Sequence, residues 1–356
     1  MRRRWRLAAL AGGLMAAIVL VPMAYIEVGC RAPLPGLVAA PDHTPLLPAA
    51  DRRPEARTFL TYPEWHIVYE AEAFARHLAA GQPPSSSAYG EQIGQCWTSY
   101  CTVNRITRTS PESGAAKVTI YTIGISYTVE LAVKAVYERT IGRLFEATSG
   151  WDSADDRHGA HVQQRYGAFL HETPWYRFPF REALKGEWQT REPTLHARHW
   201  ERRFALSAEY GVKALYAKAI DAATGATVGR DEPTLRLVVR GDPAVLRAVD
   251  PRLKVVGSLP SGLTVVEAPR YQQFNDLLAK LSATQVQLVE IAGNRTIFAT
   301  LILPDRVPPP GPAVLAMPID RTGWRRVGVV VPVARLLPLM TRVRALGGTV
   351  EHVYDY

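Results

Sequence analysis

The chain has 356 residues and a formal charge of +9, with 42 lysines and arginines against 33 acids. That length allows two ordinary domains, and three cysteines are too few for a disulfide scaffold. Arg2, Arg3, Arg4 and Arg6 hold much of the excess charge, and no basic cluster interleaved with aromatics follows them. Nucleic acid is therefore excluded as a partner.

Leu7 to Ile26 is uncharged throughout and follows that basic flank. Its length matches the hydrocarbon core of a bilayer, so it predicts an N-terminal transmembrane helix with the bilayer as partner through residues 7–26. The arginines would stay inside, which predicts a bacterial inner-membrane protein whose bulk is periplasmic. A cleaved signal peptide and a lipidated Cys30 are the competing readings. Arg31 to Arg57 is rich in Pro and Ala and reads as an extended tether.

Thr61 and Glu64 form a capping-box pattern, followed by an apolar stripe of Ile67, Ala71, Phe74 and Leu78. His66 lies at the mouth of this helix as a candidate catalytic or ligand-binding group. The prolines and serines of residues 82–87 break the helix. Cys96 and Cys101 suit a local disulfide only if a turn separates them, because a helix would hold their Cα atoms too far apart. Thr102 to Thr109 is short and β-branched. Lys117 to Tyr127 reads as a strand, with continuous helix as the alternative.

The strongest internal signal is a repeat. ELAVKAVYERTI from Glu130 aligns without a gap over EYGVKALYAKAI from Glu209. Helical spacing puts Glu130, Lys134 and Tyr137 on one stripe and Glu209, Lys213 and Tyr216 on another. Apolar neighbours imply burial, and buried charges must pair. Two readings follow. In one the six residues line a cleft, a Glu acting as acid or base and a Lys orienting an anionic group. In the other they form an ion-pair network that holds two helices together.

His158 and His161, and His196 and His199, are three apart, a spacing that can share a metal on one helix face. Exposed helical histidines explain them equally well, and no metal or cofactor is expected. Pro174, Trp175, Tyr176, Arg177, Phe178 and Phe180 place four aromatics where prolines forbid a regular helix. They read as an interface at a membrane or a membrane protein, or as a loop closing the core.

Beyond residue 235 the pattern changes. Strands are predicted at Leu235–Val239, Leu263–Glu267, Val286–Ile291, Thr296–Leu303, Val314–Ile319, Arg326–Val331 and Thr349–Tyr356. Helices are predicted at Tyr271–Leu281 and Val333–Leu346. The order resembles a ferredoxin-like sheet backed by two helices. Phosphate-loop, GxSxG and HExxH patterns are absent from the sequence.

The expected fold is thus α+β: an anchor (1–30), a linker (31–60), a mainly helical domain with the repeat (61–234) and a ferredoxin-like sandwich (235–356). The expected function is a membrane-anchored envelope protein that binds or stabilises a membrane-protein complex. A membrane-tethered enzyme or small-ligand sensor, using the cleft between the repeated helices, is the alternative.

Overall fold

The computed structural model describes residues 12–13, 16–32, 43–53, 62–108, 113–191, 197–227 and 234–354. Two compact units emerge. One comprises Met1–Pro63, Gln95–Gly124 and Glu232–Tyr356, the other Glu64–Gly94 and Ile125–Asp231.

In the first unit, helical residues 16–24 pass into a π-helical turn, Tyr25–Gly29. Ile26 is fully buried there, and Glu27 accepts hydrogen bonds from Lys117 Nζ at 2.9 Å and Tyr121 Oη at 2.7 Å. Cys30 forms a disulfide with Cys101, and Cys96 is a buried free thiol. The last residue of the expected span is therefore buried, and a paired charge follows it directly.

Residues 7–11, 14 and 15 lie outside the described residues. Among the described residues, no helix is long and apolar enough to cross a membrane. The transmembrane helix, the bilayer partner, the inner-membrane placement and every membrane-tethered function are corrected accordingly. Lipidation of Cys30 is likewise replaced by its bond to Cys101. That bond also replaces the local Cys96–Cys101 pairing, because both residues lie on one continuous helix, α2 (Tyr89–Thr107). The β-branched residues after Thr102 extend this helix instead of leaving it.

Residues 43–53 lie against the sheet region. The amides of Leu46 and Leu47 donate to the buried Glu290 carboxylate at 2.8 and 3.1 Å, and Arg53 N donates to Ala292 O at 2.8 Å. Glu290 thus holds a chain segment as well as occupying a strand.

The single ferredoxin-like sandwich is also corrected, to two open four-stranded antiparallel sheets. The first is built from β1 (Thr234–Arg240), β2 (Lys254–Leu259), β3 (Leu263–Pro269) and β4 (Gln287–Ile291), in the order β2-β3-β1-β4. The second uses β5 (Thr296–Pro304), β6 (Ala313–Pro318), β7 (Trp324–Pro332) and β8 (Thr349–Tyr354), in the order β6-β7-β5-β8.

The order of the second sheet repeats that of the first. A short helix, α8 (Pro243–Val249), joins β1 to β2, whereas residues 305–312 join β5 to β6 without one. The unforeseen strand is β2, which alternates between exposed and half-buried residues and carries a bulge between Val255 and Gly257. With β2 on its edge, the first set of strands completes a sheet of its own.

The helices α9 (Gln272–Leu281) and α10 (Val333–Ala345) join both sheets in one core. Each packs on the last strand of the other half: α10 lies on β4, and α9 on β8. Asn275 of α9 bonds His352 Nδ1 and accepts from Val353 N, both at 2.9 Å. Gly328 matters in β7, because a Cβ there would come within 2.7 Å of both Leu315 and Phe298. Its absence leaves room for Phe298 to sit edge-on to Tyr62.

The second unit is helical. It contains α1 (His66–Ala79), part of α2, part of α3 (Ser113–Tyr137), α4 (Arg143–Ser149), α5 (Ala154–Leu170), α6 (Phe180–Glu187) and α7 (Ala197–Thr227). Continuous α3 overrides the strand expected at Lys117–Tyr127, so both copies of the repeat are helices. A 3-10 turn, Tyr62–Trp65, precedes α1, and the expected cap Thr61 lies outside the described residues. Helix α5 starts at a reciprocal capping box between Ser153 and Asp156. Between α3 and α4 the chain widens into a π-turn, Glu138–Gly142.

Candidate functional site

The repeated stripes meet reciprocally. Lys134 Nζ donates to Glu209 Oε1 at 3.3 Å, and Lys213 Nζ lies 2.8 Å from Glu130 Oε1. Lys213 also donates to Glu209 Oε1 at 3.0 Å. Burial opposes ionisation of Glu209, but Lys134 and Lys213 outweigh it and hold its carboxyl well below the usual range. Burial likewise opposes the charge on Lys213, and Glu130 and Glu209 outweigh it, raising its ammonium well above the ordinary value.

A carboxyl outside the repeat belongs to this cluster. Burial pushes Glu70, on α1, up to about 7 against the pull of Lys134. Burial, with Glu130 and Glu209 as like charges nearby, therefore favours its protonated form near neutrality. The sequence signal for Glu70 was its place one turn before Phe74 on an otherwise apolar helix face.

Beside this cluster lies a second one. Arg202 clamps Glu138 with two hydrogen bonds, at 2.9 and 3.0 Å, and also bonds Glu201. Arg198 donates to Glu201, to Asp156 and to the Gly142 carbonyl of the π-turn. Tyr137 Oη donates to Glu201 at 2.8 Å. A Cβ on Gly142 would lie 2.5 Å from Glu138 Oε2, so the clamp needs glycine there. Isolated π-turns of this kind recur at functional sites.

Between the clusters is a cavity of about 400 Å³. Lys134, Glu209, Glu138 and Arg202 form its polar wall, while Phe74, Leu78, Trp151 and Leu206 supply apolar surface. Lys134 Nζ also lies 4.1 Å above the Phe74 ring. The volume suits a small organic molecule.

The remaining expected site residues are placed elsewhere. His66 is fully buried edge-on to Tyr69, and Tyr216 faces outward with its ring 5.3 Å from that of Trp175. Neither lines the cavity, nor do Glu130, Lys213 and Tyr137. In the aromatic loop, Phe178 and Phe180 pack around Tyr166 with ring centroids 5.0 and 5.5 Å away. Trp175, Tyr176 and Pro174 are half-buried, and Arg177 is exposed.

His158 bonds Ala183 O, and His199 pairs with the buried Asp155. His161 is exposed and His196 lies outside the described residues. Among the described residues, no group of three or more His, Cys, Asp or Glu side chains is arranged to hold a metal ion. Glu187 is buried beside Asp155, and burial, then that neighbouring carboxylate, pushes it up to about 9.

The second unit is thus a helical bundle with a charged, cavity-bearing interior. Comparison with family models, with curated proteins and with solved structures finds no match to the chain.

Proposed function

We propose that the helical unit binds a small apolar molecule carrying an acceptor oxygen, a carboxylate or a carbonyl, in this cavity. The observation that carries the reading is the state of Lys134. Its ammonium has three N–H donors, sits on the cavity wall, and makes one hydrogen bond, to a carboxylate already shared with Lys213. Of the acids on the same wall, Glu138 is held by Arg202, Asp156 by Arg198 and Ser153, and Glu209 by both lysines, while exposed Asp152 pairs with Arg157. Lys134 therefore has donors to spare beside carboxylates that already have cationic partners, and Phe74, Trp151 and Leu206 match an apolar body.

This reading needs no membrane tether, and its walls differ from a cleft between the two repeated helices. Trp151 on the wall is an intrinsic reporter. Full-length protein would be titrated with phenylacetate and octanoate and with the matching amides, following fluorescence and Tm, with Trp151→Phe as control. Binding that is lost in Lys134→Met and Leu206→Trp supports the proposal. Unchanged fluorescence and Tm with all four compounds, in protein whose cavity is open to solvent, would reject it. The amides distinguish a carboxylate site from a carbonyl site.

A further inference from the structure

Helix α7 is inside-out. Its inward face carries Arg198, Glu201, Arg202, Glu209 and Lys213, whose charges pair within the unit. Between residues 200 and 217 its exposed residues are Trp200, Phe204, Ala208, Val212, Leu215 and Tyr216, and none is charged. The five large ones are between 46% and 69% exposed. A surface helix normally shows the opposite polarity.

Trp188 widens the patch. It is 57% exposed, donates to Ser207 at 3.0 Å, and lies with Trp200 around the Arg203 guanidinium. Val133 and Val136 of α3, the helix joined to α7 by the reciprocal lysines, are equally exposed. The α7 side chains and Trp188 present on the order of 600 Å² of apolar surface, at the top of the range for the largest patch on a monomer. A stable interface needs about 800 Å² per partner, which this patch and a modest rim supply.

A second copy of this chain is the occupant that the area of the patch fits. The stripe is symmetric about Ala208: Phe204 and Val212 stand four residues to either side, Trp200 and Tyr216 eight. We propose that this face is the interface of a two-fold homodimer in which two copies of α7 cross antiparallel at Ala208. Such a pairing sets Phe204 against Val212 of the partner subunit and Trp200 against Tyr216 of the partner subunit, and the reverse. Alanine at the axis, next to Gly211 with open space where a Cβ would be, lets the backbones approach closely.

The test is sedimentation equilibrium of the full chain. Wild type should be dimeric, and Phe204→Glu and Val212→Lys should each weaken dimerisation more than about a hundredfold by burying a charge. Because the two positions face each other across the interface, mixing the two variants should restore a mixed dimer. Ala208→Cys should crosslink to itself under mild oxidation. Circular dichroism and Tm confirm that the variants fold, since every changed side chain is exposed. A monomeric wild type at the highest soluble concentration overturns the proposal. So does a dimer indifferent to both variants, or a monomer that sediments with phosphatidylglycerol vesicles through this face.

Discussion

Lys134 of one helix donates to Glu209 of the other, while Lys213, the aligned counterpart of Lys134, pairs with Glu130, the counterpart of Glu209. The repeat is therefore a mutual exchange of charges between its two copies. Its energetic centre is Glu209, the carboxylate that serves both lysines.

Substituting Glu209→Ala leaves two poorly hydrated ammoniums without their shared partner. A loss of about 3–5 kcal/mol in stability is expected by denaturant unfolding. The triple variant Lys134→Met, Glu209→Leu, Lys213→Met should recover most of that loss, since half-exposed Glu130 can be hydrated alone. Failure of the triple variant to recover would show that the network also determines the packing.

Glu187 and Glu70 make stability depend on pH in an unusual direction. Their folded values, about 9 and about 7, lie above the ordinary 4.5. Between 4.5 and 9 the folded protein keeps protons that the unfolded chain has released, so these groups lower stability as pH rises. Glu209 acts oppositely, its contribution being lost as pH falls below 4.5. Urea unfolding from pH 5 to 9 should show a decline that Glu187→Gln removes between 7 and 9. Glu70→Gln should flatten it below 7.

The Cys30–Cys101 bond closes a separation of 71 residues. Loop-closure entropy makes its removal cost about 4 kcal/mol. Reduction, or the paired change Cys30→Ser and Cys101→Ser, should lower Tm. Peptide mapping should recover the 30–101 link with Cys96 as free thiol. Burial pushes that thiol up to about 12, so alkylation of Cys96 should wait for unfolding.

Gly142→Ala should break the Glu138–Arg202 clamp, because the new Cβ would stand 2.5 Å from Glu138 Oε2. A destabilisation of about 1–3 kcal/mol is expected. The same variant should weaken any ligand held against that wall, and titration against the wild type measures it.

Local patterns were legible in the sequence wherever one residue's neighbours along the chain decide its state. The repeat, its helical state, the apolar stripe of α1 and seven of the strands follow from periodicity alone. The twenty uncharged residues at the N-terminus were equally legible as a pattern, yet among the described residues no helix is long and apolar enough to cross a membrane. Hydropathy does not reveal long-range partners, and just past that stretch Glu27 and Cys30 meet theirs some seventy to ninety residues away.

Tertiary structure alone decided which lysine meets which glutamate, that Cys30 rather than Cys96 bonds Cys101, and that the strands pair as two sheets with β2 on the edge of the first. It also decided the polarity of α7. A helix wheel marks an apolar face and a charged face, but only the packed unit shows that the charged one turns inward. The reason is that Arg198, Arg202 and Glu209 of α7 find Asp156, Glu138 and Lys134 on segments distant in sequence, and pairing, not hydropathy, makes their burial tolerable.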